Sequence, residues 1–545
     1  MRTSTPGRAS VAGQSFDVLV IGGGINGVAI ARECGRAGKR TLLVEQHDFA
    51  SGTTSRATRI IHGGLRYLEH GEVNLVRESL RERERLLRDS PHLVRPLQFL
   101  LVLSNQNRSL LRNGLAIRTG LWLYHQWAGR HRPATGDLRH FESQLDAGHS
   151  WSIYSYEDAQ CEFPERLVAE WLAEVLAAGA DIRNHTQVLQ ILCRHGQVTG
   201  ARLRDRISGE EFEVAARQVV NATGPWADFV VNASGLRTKA GSQPMVGGVR
   251  GSHVVLPRFC GAPSQALYTE ALDGRPFFVL PWNEQILVGT TEVADAANPE
   301  NTQPSASEVD YILASLARLL PHAGMTKADI RYTLAGVRPL PFTPGTNFAA
   351  VTRRHIIHDH QEDGADGLIS IIGGKLTTAV SLAREAGKRL GLAVPNPAPI
   401  YIAPAPADGV ESSFRQWARM IACRANVPEP TAQAIAEWHG GRALAIAHSG
   451  SQNASLAAPL CEHSHHIVAE AVEAVIHECA VTLGDILLRR VPVALGACWS
   501  ETCSREAASR IGSALSWSQS RIEKELESFE SERERFLHPK MGVGV

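Results

Sequence analysis

The sequence predicts an α/β fold, α+β overall, in which a parallel-sheet core is followed by an all-helical C-terminal region. Three observations carry that expectation: a strand–glycine–helix–strand run over residues 16–49, a second strand–glycine–helix run over 368–387, and helix-period patterning from about residue 406 onward. At 545 residues the chain exceeds one simple core, so at least two bodies are expected.

Residues 1–14, MRTSTPGRASVAGQ, carry Arg2 and Arg8 without an apolar core and read as a disordered lead-in, not a secretory signal. In FDVLVIGGGINGVAIARECGRAGKRTLLVEQHDF, the apolar run at 18–21 reads as a buried parallel strand. Val28, Ala29, Ile30 and Ala31 open a helix that Gly35 and Gly38 close. Gly22, Gly24 and Gly27 form GxGxxG: the first makes the tight turn, the second admits a pyrophosphate to the backbone, and the third lets helix and strand pack closely. The helix N-terminus then faces the phosphates. Glu45 ends the next strand, where a carboxylate can accept the ribose hydroxyls of an adenosine. The unit implies a dinucleotide and leaves FAD and NAD open.

Three further stretches point to a ligand-bearing backbone. In IIHGGLRYLEH, residues 60–70, Gly63 and Gly64 leave the main chain bare beside His62, Arg66 and Tyr67, hydrogen-bonding groups that an ordinary turn does not need. In RQVVNATGPWAD, the strand ending at Val220 leads into Asn221-Ala222-Thr223-Gly224, small residues that let a returning strand brush a cofactor, a pattern frequent in FAD proteins. In SIIGGKLTTAVSLAREAG, a strand over 368–372 meets Gly373-Gly374 and a helix begins at Thr377. Its N–H groups and positive dipole end, past Gly374 and Leu376, would stabilise negative charge on a bound cofactor, although a routine strand–glycine–helix connection looks the same.

Composition excludes several classes. Lys+Arg and Asp+Glu are equal at 56 each, so there is no basic excess for a polyanion, and no nucleic-acid partner is expected. No apolar run approaches the ~18 residues of a membrane span, so membrane contact is expected to be peripheral. The segment RSLLRNGLAIRTGLWLYHQWAG, 108–129, is basic and apolar, but at helical period Arg118 falls among the leucines, which suits a buried helix. Nine scattered cysteines without a CxxC pair indicate neither a disulfide framework nor a zinc or iron–sulfur set, and fit a reducing compartment. CEHSHH at 461–466 has no further ligand at metal spacing, and Ser464 reads as a cap for the following helix; no metal is expected. The charged SRIEKELESFESERERF reads as a solvated helix.

With GGGINGVAIA, Glu45, IHGGLRYLEH, NATGPW, GSHVVLP, VGTTEV, AGVRPL and GGKLTT in one order, the sequence resembles the FAD-dependent, quinone-linked glycerol-3-phosphate dehydrogenases from about residue 15 to about 490. The resemblance implies a Rossmann-like FAD-binding domain interleaved with a β-rich substrate domain. It places the FAD-dependent region at 15–395, with the substrate domain inserted at about 240–335, a Pro-rich linker at 396–409 and a helical domain at 410–545. It implies non-covalent FAD bound by Gly22, Gly24, Gly27, Glu45, His62, Gly63, Gly64, Thr223, Gly224, Gly374, Leu376 and Thr377. Glycerol 3-phosphate is a dianion whose C2 hydride must reach flavin N5 while its hydroxyl loses a proton, so its site needs cations and a base. The resemblance supplies Arg66, Tyr67, Arg353 and Lys375 for the substrate, with Arg354 one residue away as the other register. It supplies His253, an imidazole titrating near neutrality, as the base or as a group that merely orients the substrate, and Arg338 as the stabiliser of the alkoxide.

It further implies a membrane quinone as acceptor, peripheral attachment to the cytoplasmic face of the cell membrane, and room for a homodimer. Oxygen as acceptor, another small hydroxy or amino acid as substrate, and a flavin-containing sensor remain alternatives. The Cys161-Glu162-Phe163-Pro164 stretch and the Val-Pro after Arg490 depart from the family pattern, which leaves the quinone or membrane contact open.

Overall fold

The computed structural model describes residues 10–68, 71–104, 114–128, 141–236, 243–295, 297–345, 351–393 and 411–537. The expected linker and residues 1–9 of the expected tail lie outside them. The rest of that tail is not a loose lead-in: Val11 is buried and the Gly13 N–H donates to the Glu213 carbonyl at 2.8 Å.

Val18, Leu19 and Val20 are buried on both faces of their strand, which is why the run is continuously apolar. That strand, Ser15–Ile21, lies inside an eight-stranded sheet ordered Ile356–Asp359, Leu368–Ile372, Glu211–Asn221, Ser15–Ile21, Thr41–Val44, Asp181–Arg183. Pairing is parallel from Leu368–Ile372 through to Asp181–Arg183. Helices Ile25–Arg36, Pro164–Ala177 and Ala379–Arg389 pack into one core with it through Val28, Ile30, Leu172 and Leu382. The first helix runs through Gly35, which faces Ala178 closely, and ends before Gly38 at φ +68°. A left-handed glycine, not Gly35, stops it.

The second sheet has nine strands and is mostly antiparallel. Val246–Pro257, Ala266–Glu270, Pro276–Trp282, Gln285–Gly289, Val293–Ala294 and Tyr332–Pro341 belong to it. It is not confined to 240–335, however. Val94–Ser104 pairs parallel with Ala266–Glu270 and antiparallel with Trp151–Cys161, which in turn pairs with Ile60–Ile61. These local apolar runs find partners only at long range, which sequence patterning does not report. Helix Ala306–Leu319, opened by a Ser305/Glu308 capping box, covers Val254, Leu256, Ile286 and Val288 with Ile312 and Leu316.

From 411 the described chain is helical, and it is bolted to both sheets. Leu483, Leu487, Ile511 and Phe529 share a core with Trp282, Tyr332 and Leu334 of the second sheet. A π-turn over Ile486–Arg490, closed by the Val491 N–H on the Ile486 carbonyl at 2.7 Å, sends both Arg489 and Arg490 onto the buried Asp48. Arg166 forms a buried pair with Glu478 at 2.7 Å and also donates to the Arg490 carbonyl. The Glu162 carbonyl accepts from Arg59 and from Trp282. Both segments that depart from the family pattern are therefore parts of the join between regions.

Three other expectations are corrected. Helix Gln519–Leu537 buries Phe529, Phe536 and Leu537, and its Glu532 pairs with Arg489 at 2.7 Å, so only part of it is solvated. Helix Gly114–Ala128 buries Leu121, Tyr124 and Ala128 but exposes Arg118 and Trp122, so it is amphipathic, not buried all round. The Ser464 hydroxyl accepts from the His466 N–H within a turn, whereas Glu470 accepts from Ile467 N–H at the start of helix Val468–His477.

Candidate active site

The glycine turn after the first strand is shaped by close approach. Gly22 has φ +104°, and a Cβ there would lie 2.6 Å from the Ala222 carbonyl oxygen. A Cβ on Gly27 would lie 1.9 Å from the Gly22 carbonyl oxygen. Gly24 is the N-cap of helix Ile25–Arg36 and brings no side-chain cap. Glu45 stands just past strand Thr41–Val44, its carboxylate accepting from the N–H groups of Gly23 at 2.7 Å and His47 at 2.9 Å. Burial raises its pKa against those two bonds. Thr223 and Gly224 act on the turn itself: the Thr223 hydroxyl donates to Asn221 Oδ1 at 2.7 Å, and Gly224 takes φ +59°. Asn26 Oδ1 and Trp226 Nε1 are buried without a hydrogen-bond partner. A bare helix start, a fixed carboxylate and an orphaned polar atom on each of two glycine-bearing turns fit a dinucleotide.

The 60–70 stretch serves two purposes. Gly63 and Gly64 are bare because rings of this same chain crowd them: added Cβ atoms would meet Tyr124 at 2.6 Å and Tyr67 at 2.0 Å. The Gly63 N–H donates to the Tyr124 hydroxyl, which donates to Asp158, itself paired with Arg83 at 2.7 Å. On its other side the turn meets the second glycine turn, the His62 N–H donating to Thr377 Oγ1 at 3.2 Å. There Gly373 and Gly374 have φ of +78° and +93°, and Asn26 donates to the Gly373 carbonyl. A 3-10 turn, Leu376–Thr378, precedes helix Ala379–Arg389, so the helix begins later than Thr377.

The second sheet delivers the remaining candidates. Val246–Pro257 and Tyr332–Pro341 pair antiparallel with Val249 opposite Arg338 and His253 opposite Leu334. Two glycines clear the space: a Cβ on Gly251 would lie 2.3 Å from the Arg338 guanidinium, and one on Gly289 would lie 2.7 Å from the His253 ring. Arg338 donates to Thr290 Oγ1 at 2.8 Å and to the Thr291 carbonyl at 3.2 Å. His253 Nε2 bonds to Thr58 Oγ1 at 3.0 Å, while Nδ1 is buried without a partner. Burial first, and then Arg338, lower the His253 pKa to about 3. The expected near-neutral titration is corrected: this imidazole is neutral at any working pH, free to accept a proton but weakly basic until an anion offsets Arg338.

The cations converge. Lys375 Nζ lies 3.9 Å from the Tyr67 ring centroid and has no hydrogen-bond partner among the described residues. Burial, with Arg353 adding to it against Glu72, lowers Lys375 to about 7. Burial and Arg353 likewise bring Arg338 to about 10. Arg353 donates one nitrogen to Glu292 at 2.8 Å and keeps Nη1 buried and unpartnered, whereas Arg354 is exposed. Arg66 stands half-buried beside Tyr67 on the 3-10 turn Leu65–Leu68. Burial raises the Tyr67 pKa although Arg353, Arg338 and Arg66 all pull it down. Four separate segments thus bring Tyr67, Arg338, Arg353 and Lys375 within electrostatic reach of one another. Sequence reasoning did not find Thr58, Trp226, Thr290 or Glu292. The available signal was the strand-interior glycines 251 and 289, which mark a close approach.

A family model described as FAD dependent oxidoreductase matches residues 17–380, and one described as the C-terminal domain of alpha-glycerophosphate oxidase matches residues 405–522. The chain is 38% identical over 510 residues to a glycerol-3-phosphate dehydrogenase of Synechocystis sp., covering 88% of this chain and 89% of that one. It is 34% identical over 387 residues to a D-erythritol 1-phosphate dehydrogenase of Brucella abortus, covering 69% and 74%. Its fold matches the structure of a glycerol-3-phosphate dehydrogenase from Bacillus halodurans complexed with FAD, with a TM-score of 0.76 over 96% of each chain at 23% identity.

Proposed function

The chain belongs to the FAD-dependent oxidoreductases of the glycerol-3-phosphate dehydrogenase family, and from that premise we propose that it oxidises sn-glycerol 3-phosphate to dihydroxyacetone phosphate and passes the electrons to a membrane quinone. The observation that carries the substrate is the group Tyr67, Arg338, Arg353 and Lys375, with buried donor atoms on Arg353 and Lys375 that have no partner of their own. Bound non-covalently, FAD supplies the acceptor for the C2 hydride. Arg353 and Lys375 hold the phosphate, the guanidinium through paired N–H bonds and the ammonium as a point charge. Tyr67 and Arg66 close that end. His253, aligned by Thr58, takes the hydroxyl proton, and Arg338, aligned by Thr290 and Thr291, stabilises the developing alkoxide.

Anaerobic mixing of the yellow protein with glycerol 3-phosphate should bleach its visible absorbance; persistence of the colour would remove the proposal. Subsequent addition of a quinone analogue or of oxygen separates a dehydrogenase from an oxidase. The Brucella relative makes D-erythritol 1-phosphate the informative competitor, because the cation group recognises the phosphate shared by both substrates. Acid precipitation should leave the colour in the supernatant, and colour on the pellet would show a covalent flavin. Among the described residues no helix is long and apolar enough to cross a membrane, so access to a quinone is proposed to be by peripheral attachment at the cytoplasmic face. Recovery of the protein wholly in the soluble fraction at low salt would overturn that attachment.

A further inference from the structure

The C-terminal region gathers sulfur. Cys461 and His463 lie on a short loop whose ends are joined by a bridge between Pro459 and Ile467 and by the Leu460 N–H on the His466 carbonyl at 2.8 Å. The Ser464 N–H donates to the Cys461 carbonyl at 3.1 Å, which tightens the loop into a knuckle. About forty residues later, Cys498 and Cys503 stand in C-x4-C spacing, and Ser500 caps helix Glu501–Ala514 by accepting from the Cys503 N–H. Ligand atoms of Cys461, His463 and Cys503 all lie within 4.8 Å of one another. The Cys503 thiol donates to the Cys498 carbonyl at 3.7 Å and accepts from the Ser500 hydroxyl at 3.3 Å, and the Cys498 thiol, outside that group of three, is near enough to Cys461 and Cys503 to interact with both. All nine cysteines of the chain are free thiols. Cys461 and Cys503 are buried, whereas Cys498 and His463 are exposed, which leaves an open side for an ion.

We propose that Cys461, His463, Cys498 and Cys503 bind one zinc ion, which pins the 459–467 loop to the start of helix Glu501–Ala514. Three thiolates and one imidazole are a preferred set for a closed, tetrahedral, structural zinc, and the C-x4-C of Cys498 and Cys503 has the spacing such sites use, whereas the C-x-H of Cys461 and His463 is tighter and depends on the knuckle of its loop. Sequence reading discounted CEHSHH because no partner stood at ligand spacing; the fold brings Cys498 and Cys503 to it. Binding releases three thiol protons to solvent and leaves the site with a net charge of −1 if the imidazole is neutral. That charge sits in the first turn of helix Glu501–Ala514, where the backbone dipole favours it. Glu462 stands 3.6 Å from His463 Nε2, placed to orient the ring. The ion takes no part in the flavin chemistry, so the proposal stands apart from the function proposed above.

The test uses the full-length flavoprotein expressed with zinc supplied. Elemental analysis should find about one zinc and no iron per chain, and a mercurial reagent should release the zinc to a chromogenic chelator. Cobalt in its place should give thiolate-type d–d bands at wavelengths beyond the flavin absorption. His463→Asn and Cys498→Ser change exposed residues and should retain FAD while holding zinc at least about tenfold more weakly. Four results would overturn the proposal: native protein with no stoichiometric zinc and freely alkylated Cys461, Cys498 and Cys503; a disulfide linking any two of them; iron in place of zinc; or variants that keep wild-type zinc retention.

Discussion

At the scale of single residues, the candidate site separates groups by what burial does to their charge. His253 is held neutral with one nitrogen tied to Thr58 and the other unpartnered, so its removal should spare FAD content and lower the rate of anaerobic flavin reduction by about 10² to 10⁴ in His253→Ala. An unchanged rate in rapid-mixing absorbance measurements would place the base elsewhere. Arg353 points into the cation group and Arg354 into solvent, so Arg353→Ala should weaken kcat/KM by roughly 30-fold or more and Arg354→Ala should leave it nearly untouched. The reverse pattern would shift the phosphate contact by one residue. Lys375, lowered to about 7, is charged below that pH and neutral above it in the free protein. Capture of the substrate dianion, read as kcat/KM, should therefore fall as pH rises through about 7, and that alkaline limb should vanish in Lys375→Gln. On the acid side the limit is the phosphate itself, whose second proton binds near pH ~6.

At the scale of elements, the site depends on strands that make room for side chains on their neighbours. Gly289→Ala would place a methyl 2.7 Å from the His253 ring and 2.9 Å from the Ser252 carbonyl, so it should destabilise the fold by about 1 to 3 kcal/mol and slow flavin reduction as well. Gly120→Ala, in helix Gly114–Ala128 with open space around it, should be neutral or stabilising by up to about 1 kcal/mol. Thermal denaturation of the two variants checks the contrast. The first β-α-β unit was legible because its cues are local: apolar strand, glycine turn, helix and Glu45 follow one another in 30 residues. The glycines of 63–64 were legible as backbone that something approaches closely, but one of the rings that crowds them, Tyr124, arrives on a helix from residues 114–128, while the other, Tyr67, is only three residues away. The second sheet was legible only in part, because Val94–Ser104 and Trp151–Cys161 gain their partners through long-range pairing. Cys461 was discounted for the same reason, its sulfur neighbours lying 37 and 42 residues downstream.

At the scale of the whole molecule, buried histidines set the response to acid. Burial is the leading cause that holds His62 and His253 at about 3 and His439 at about 4, below the ordinary 6.5, so each is neutral in the fold and takes a proton on unfolding. Their contribution to stability is complete above about pH 6.5 and is lost as pH falls towards 3 to 4. Glu470 acts in the same direction at lower pH: its two histidine partners outweigh burial and hold it at about 2. The melting temperature should therefore drop steadily from pH 7.5 to pH 5, and a flat or rising profile in differential scanning fluorimetry would contradict this balance. Asp48 belongs to the same account, since Arg490 and Arg489 outweigh its burial and keep it ionised. Asp48 follows Glu45 by three residues, yet the arginines that neutralise it are 441 and 442 residues further along. At ribosomal speeds of 5–20 residues per second, that separation is roughly 20 to 90 s of synthesis. During that interval the loop after Glu45 carries a carboxylate without these counter-ions, so the Asp48 cluster is completed only once residue 490 has been made.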